Sequence, residues 1–325
     1  MQRVPGTEAA MVQRRALPAG AEEIRWIAGD GWAIRQVNWP AADQPRGSLL
    51  FLPGRGDFLE KYIETLSHWS ARGWRVTALD WRGQALSGRM GGDSLTGHID
   101  DFGQWTDDLA AFWSGWAATT PAPHVLVAHS MGGHLAMRAV AEARVIPDAL
   151  VLSAPMLGFA RHGLPPVLSR WVAKLMCAIG DPRRPAWGGS GREKPGQPPA
   201  DRIALLTHDA GRYADEAWWR DRRPGLGMGP PSWGWLRAAL GSMQRLDRRE
   251  TLARVTVPTF IAATTADRLV DYGAIARAAR WIPGAQLLRL GKEARHEVLR
   301  EVDPVRDRVI AAIDEFLDRT APAAK

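Results

Sequence analysis

The chain has a single cysteine, Cys177, so it can form no internal disulfide, and a cysteine-based metal site is not expected. No apolar run approaches the roughly 18 residues of a membrane span. The first 20 residues hold Arg3, Arg14 and Arg15 but no apolar core of a secretory leader. These shortages predict a cytoplasmic protein whose only membrane contact would be peripheral. Net positive charge is not accompanied by a helix-turn-helix, zinc or RNP signature, so nucleic acid is not an expected partner. Gly54-Arg55-Gly56 lacks the third glycine of the dinucleotide fingerprint. No metal and no organic cofactor is expected.

What the chain does have is ordinary in amount and unusual in placement. It has 325 residues, 46% apolar and 24% charged, enough for one large α/β domain. The whole net charge of +7 resides in residues 156–250, where 14 Arg and 2 Lys face 6 Asp and 3 Glu. A segment of that kind is either a solvated basic face or a surface that meets something anionic.

Strand and helix patterns alternate along most of the chain. Ile24–Ala28 and Trp32–Trp39 flank a Gly-Asp-Gly turn and predict a hairpin. The short apolar runs Ser48–Leu52, Trp74–Leu79, Val125–His129, Ala149–Leu152, Val257–Ala263 and Gln286–Leu290 predict strands, several of them buried on both faces. Helices are predicted over about 58–72, from a cap at Asp100 to about Ala117, and over Leu135–Ala143, Tyr272–Trp281 and Pro304–Leu317. From Pro155 to about Glu250 the pattern is helical and loop-like, and ten of residues 180–199 are Gly or Pro. The alternation implies a mostly parallel sheet with helices on both faces. The expected division is a flexible lead-in over 1–22, a core built from 23–155 and 251–325, and a largely helical cap over 156–250 inserted between strands.

The chain's chemistry centres on Val125–Gly133. An apolar strand runs into Ala128-His129-Ser130-Met131-Gly132, the G-x-S-x-G elbow with alanine in its first glycine position. Such an elbow exposes a serine hydroxyl at the strand end and aims the next helix N-terminus at it. A serine nucleophile needs a base, and the base needs an acid to orient it, in the chain order Ser, Asp or Glu, His. Of eight histidines only His296 lies beyond residue 208, and it falls between the last strand and the last helix. Asp267 follows the preceding strand; its competitor Asp271 is placed as the N-cap of Tyr272–Trp281. The expected oxyanion donors are the backbone N–H groups of Met131 and of Arg55 in the loop Pro53–Gly56. His129 is expected to point away from the serine and to be structural.

These residues resemble α/β-hydrolases of the bacterial lysophospholipase and monoacylglycerol lipase branch, also labelled serine aminopeptidase-like. The likeness runs through Leu52–Tyr62, Asp80–Gln84, Gly97–Phe102, Ala128–Gly133 and Ala266–Asp271. It implies the α/β-hydrolase fold and a serine hydrolase that cleaves carboxylic esters of an acyl-chain lipid through an acyl-enzyme. Amide or peptide hydrolysis by the same triad, and a non-catalytic binding protein on this scaffold, stay open at this point. Two departures stand out. Pro53 replaces the family's usual histidine, and Ala85 replaces a glycine, which would force a local change if that position has positive φ.

Within residues 156–250, Val167, Leu168, Trp171, Val172, Leu175, Met176 and Ile179 fall on one helical face. That face is expected to pack on the core, with an acyl-chain wall or a membrane-facing lid as alternatives. Trp171, Leu175 and Trp218 are the candidate acyl-chain contacts. Peripheral contact with an anionic membrane is expected through the basic segment.

Overall fold

The computed structural model describes residues 11–160, 165–187 and 200–323. Its strands are β1 (Glu22–Ile27), β2 (Ala33–Asn38), β3 (Gly47–Leu52), β4 (Trp74–Leu79), β5 (His124–His129), β6 (Ala149–Ser153), β7 (Thr259–Thr264) and β8 (Gln286–Leu290). They form one sheet in the order β1-β2-β4-β3-β5-β6-β7-β8, antiparallel where β2 meets β1 and β4 and parallel elsewhere. This is the α/β-hydrolase arrangement.

Helices α1 (Ile63–Ala71), α2 (Phe102–Thr119) and α3 (Ser130–Ala141) connect the first strands. Between β6 and β7 come α4 (Pro166–Ala178), α5 (Ala200–Leu206), α6 (Ala210–Arg222), α7 (Trp233–Leu246) and the short α8 (Arg249–Leu252). Then follow α9 (Tyr272–Trp281) and α10 (Asp303–Thr320).

The central strands are apolar throughout because both sheet faces are covered. Alternate residues divide cleanly between two cores. Leu50, Leu52, Leu126, Ala128, Leu150 and Leu152 join α2, α3 and α7 on one face. Leu49, Phe51, Val125, Val127, Val151 and Phe260 join α1 and α10 on the other. In the parallel register Leu52 lies beside Ala128, and His129 beside Ser153. The C-terminal ends of these strands therefore open on one edge of the sheet.

Three local expectations change. α2 is capped by Asp101, whose carboxylate accepts from Gly103 N–H at 2.8 Å, while Asp100 is turned toward His98 and Arg237. α3 begins at Ser130, not at Leu135, because Gly132 and Gly133 are helical residues. Their smallness serves packing: a Cβ on Gly132 would lie 2.4 Å from Pro53 O, and one on Gly133 would lie 2.9 Å from Pro155 Cβ. The lead-in is held over its described part, since Arg14 and Arg15 both pair with Asp215 of α6. Residues 1–10 of that lead-in, and 188–199 of the Gly/Pro-rich stretch, lie outside the described residues.

The largest difference concerns α4. Its buried side is marked by Ala173, while Val167, Leu168, Trp171, Leu175 and Ile179 are exposed. Trp171 is 65% accessible and Leu175 58%, while Val172 and Met176 are half-buried, so most of the apolar face expected to pack on the core is turned outward. Among the described residues no helix is long and apolar enough to cross a membrane.

Candidate active site

The site is built at the strand edge, where chain reversals bring distant residues together. β5 runs straight into α3 with only Ser130 to make the turn. Ser130 therefore adopts φ 51°, a left-handed conformation that costs a non-glycine residue about 1–2 kcal/mol. The strain is held by close packing on three sides. Gly132 sits under the Pro53 carbonyl, and Gly133 against Pro155. Met156 N–H donates to Ser130 O at 2.9 Å.

His296 and Asp267 come to this serine from the loops after β8 and β7. Ser130 Oγ is 2.9 Å from His296 Nε2, and His296 Nδ1 is 2.8 Å from Asp267 Oδ2. A carboxylate only accepts, so the imidazole proton belongs on Nδ1 and Nε2 is free to accept from the serine hydroxyl. The other carboxylate oxygen of Asp267 accepts from Leu269 and Val270 N–H at 2.8 and 3.0 Å, which fixes its plane. Asp271 caps α9 through Gly273 N–H at 2.8 Å and stays outside this chain of bonds.

Burial alone would lower the pKa of His296, but the Asp267 carboxylate, with Glu297 and Asp57 behind it, outweighs burial and raises it. Burial pushes Asp267 up, and the facing imidazole and backbone donors bring it below the ordinary range. The arrangement is an alcohol, an oriented base and a fixed anion in hydrogen-bonded series, suited to acyl transfer.

The loop Pro53–Gly56 lies against the serine, since a Cβ on Gly54 would be 3.1 Å from Ser130 Cβ. Its backbone is fixed by side chains. Trp81 Nε1 donates to Pro53 O at 2.8 Å, Asp57 accepts from Gly54 N–H at 3.1 Å, and Gln84 Oε1 accepts from Gly56 N–H at 2.8 Å. Among the described residues no acceptor takes the Arg55 N–H. Met131 N–H lies in the first turn of α3, where helices leave their N–H groups without an intrahelical partner.

Sequence reasoning missed several supports. Asp57 also accepts from Tyr62 Oη at 2.7 Å and pairs with Lys61 at 2.8 Å. Lys61 is buried and pairs further with Glu216 of α6 at 3.1 Å and with Glu297, the residue after His296. Burial raises the Asp57 pKa, but the Lys61 ammonium prevails and holds it at about 2. Only an i,i+4 pattern linking Asp57 to Lys61 hinted at this cluster. His129 does more than the sequence suggests: its ring lies 4.9 Å from that of His296, with Nδ1 3.1 Å from Ser153 O. Burial, and then the neighbouring His296, lower its pKa to about 4, so it is neutral beside the other imidazole. Among the described residues no group of three or more His, Cys, Asp or Glu is placed to hold a metal.

Trp171 and Leu175 lie on the outward face of α4. Trp218 is held between Arg222, 3.9 Å from its ring centroid, and Arg15 at 5.5 Å. Ala85 has φ 45°, so alanine itself adopts the left-handed conformation at this position.

Comparison with known proteins places these features in context. Residues 43–303 match the family model described as serine aminopeptidase, S33. The chain is 30% identical over 313 residues to lysophospholipase L2 of Escherichia coli (strain K12), covering 92% of this chain and 88% of that protein. It is 27% identical over 237 residues to a monoacylglycerol lipase of Mycolicibacterium smegmatis, covering 71% and 74%. In structure it resembles a soluble variant of monoglyceride lipase from Saccharomyces cerevisiae, with TM-score 0.73 at 17% identity, covering 94% and 96% of the two chains.

Proposed function

The chain belongs to the serine aminopeptidase S33 family of α/β-hydrolases and is a serine hydrolase of lipid carboxylic esters; from that premise we propose its site residues, its substrate and its working parts. Ser130 is the nucleophile, His296 the general base and acid, and Asp267 the residue that orients His296. The observation that carries the assignment is the continuous chain of bonds Asp267–His296–Ser130 at 2.8 and 2.9 Å.

In this reading the Ser130 hydroxyl passes its proton to His296 Nε2 as Oγ attacks the acyl carbon. The carbonyl oxygen becomes an anion and is received by the N–H groups of Arg55 and Met131. Arg55 is favoured because its loop neighbours Gly54 and Gly56 already donate to Asp57 and Gln84. His296 then returns its proton to the leaving glycerol oxygen. A water then loses a proton to the same imidazole as its oxygen attacks the acyl carbon; the bond from that carbon to Ser130 Oγ breaks, His296 returns the proton to Oγ, and the fatty acid leaves.

The substrate class is a single-chain glycerolipid, a lysophospholipid or a monoacylglycerol, as the names of the relatives suggest. Residues 156–250 act as a cap. Support comes from backbone bonds that join the loop of His296 to α5, with Glu297 N–H donating to Leu206 O at 2.8 Å. The exposed stripe of α4, flanked by Arg170 and Lys174, is the peripheral contact with an anionic lipid surface; Trp171 and Leu175 are its apolar anchors rather than walls of the acyl site.

A panel of monoacylglycerols, lysophospholipids and aminoacyl amides, assayed with the wild type and Ser130→Ala, tests this reading. Esters are turned over, and the variant loses activity by about 10⁶-fold, as for removal of a triad serine elsewhere. Turnover of the amides alone, or an active Ser130→Ala enzyme, would overturn it.

A further inference from the structure

Arg55 presents two different groups to the site. Among the described residues its backbone N–H has no acceptor, and its guanidinium has no carboxylate counter-ion. Nη2 donates to the Gly229 carbonyl at 2.8 Å, and Cζ lies 5.2 Å from the centre of the Trp235 ring. Nε is enclosed and has no hydrogen-bond partner among the described residues. The side chain borders a crevice shared with Gln84, His98, Met228 and Trp235. No carboxylate pairs with it among the described residues. The charge that acts on it is that of another cation, Arg202, which itself pairs with Glu216 at 3.4 Å.

Arg35 and Arg300 are buried, whereas Arg55 is part-buried, and each of those two is matched by carboxylates that outweigh burial and raise its pKa. Arg55 goes the other way: burial, and then Arg202, lower it to about 9. Arg89 is also lowered by burial, but the Asp80 charge opposes that shift and its guanidinium donates to the Ala85, Gly88 and Gly225 carbonyls. His98, the titratable group across the crevice, is also lowered by burial and does not supply a negative charge; its carboxylate neighbour Asp100 is exposed. A guanidinium has five N–H donors in a fork suited to carboxylate or phosphate. Partly withdrawn from water beside one carbonyl and one ring, the Arg55 guanidinium has among the described residues no carboxylate to compensate its desolvation.

The position of this unmatched cation is informative. In a 1-acyl lysophospholipid the acyl carbon and the phosphorus are separated by the same number of covalent bonds as Arg55 N and Cζ. An ester whose carbonyl oxygen is bound at Arg55 N–H thus carries its phosphate within the span of that residue's own side chain. We infer that the Arg55 guanidinium receives the phosphate of the substrate's glycerol headgroup, so that the site selects 1-acyl lysophospholipids over neutral monoacylglycerols. The inference rests on the ester-hydrolase reading above, and it adds the group that reads the headgroup.

The test compares wild type, Arg55→Met and Arg55→Lys on monomeric 1-acyl lysophosphatidylglycerol and on the monoacylglycerol of the same chain length. Damage to the loop lowers both activities, so the readout is the ratio of the two kcat/KM values. In Arg55→Met the ratio falls about 10- to 100-fold, chiefly through KM, the scale of a lost charge-assisted hydrogen bond; in Arg55→Lys, a point charge without the fork, it falls less. Glycerol 3-phosphate competes with monoacylglycerol in the wild type and not in Arg55→Met. Proportional loss on both substrates, or inhibition that persists in Arg55→Met, overturns the inference. Inorganic phosphate competing as well as glycerol 3-phosphate would assign the site to free phosphate and likewise overturn it. A wild type inactive on both esters would instead refute the hydrolase reading itself.

Discussion

At His296 burial and charge oppose each other, and charge wins. The imidazole must be neutral to accept the serine proton, yet Asp267 favours its protonated form and raises its pKa. Activity is therefore lost as pH falls through a value above the ordinary imidazole figure of about 6.5. Replacing Asp267 by Asn removes the foremost raising influence. The acid limb of the kcat/KM profile is expected to move to lower pH, while kcat falls about 10⁴-fold, as it does when the same change is made in another serine triad. An unshifted limb would show that Asp267 does not govern His296. Stability follows the opposite sign. A histidine with a raised native pKa contributes its stabilisation fully below about pH 6.5 and loses it as pH rises through the native value. The pair thus stabilises the fold most where the base is least able to work. His129 stays outside this conflict because burial keeps it neutral.

Elements position these residues through close approaches that tolerate no substitution. α3 meets the end of β3 so tightly that Gly132→Ala would place Cβ 2.4 Å from Pro53 O and 2.8 Å from Leu52 O, both backbone atoms that cannot turn aside. The helix and the loop bearing Arg55 must then separate. A misplacement of about 1 Å lowers the rate on the order of 10²-fold, measurable as kcat with the far-UV spectrum retained. Lys61 ties three further elements together, joining the loop of Asp57, α6 through Glu216 and the histidine loop through Glu297. Lys61→Met would leave these buried carboxylates without their shared cation. The expected cost is about 3–5 kcal/mol in urea unfolding, the range for a broken buried ion pair. A change below 1 kcal/mol would mean that Arg300 and its neighbours suffice. The i,i+4 spacing of Asp57 and Lys61 is visible in the sequence, but Glu216 and Glu297 are brought to it only by the packing of α6 and the last loop.

Across the whole molecule the positive charge and the exposed apolar stripe of α4 coincide in one segment. Val167, Leu168, Trp171, Leu175 and Ile179 face outward beside Arg170 and Lys174, and Lys174 Nζ lies 5.4 Å from the Trp171 ring centre. Apolar side chains that enter the headgroup region, with cations at its level, suit an anionic bilayer surface. Binding to vesicles containing phosphatidylglycerol is expected to exceed binding to phosphatidylcholine vesicles, to weaken with salt, and to fall at least tenfold in Trp171→Ser/Leu175→Ser. Equal, salt-independent binding to both vesicle types would remove the electrostatic part of the reading.

Outside residues 156–250 the sequence by itself determined the order of strands and helices, because two-faced burial leaves continuous apolar runs and the serine elbow has a local pattern. It also singled out Ser130, Asp267 and His296, since each follows a strand and strand ends are legible in a single pass along the chain. Contacts between distant segments were decided only in three dimensions. The sequence placed the apolar face of α4 toward the core; tertiary packing turned most of it outward, because periodicity records that a face is apolar and not what covers it. The sequence set His129 apart as structural; the fold laid its ring on His296. Arg55 was legible as a backbone donor in a glycine-rich loop. That its guanidinium stands without a carboxylate partner among the described residues is a property of the assembled neighbours Gly229, Trp235 and Arg202, which come from residues far along the chain.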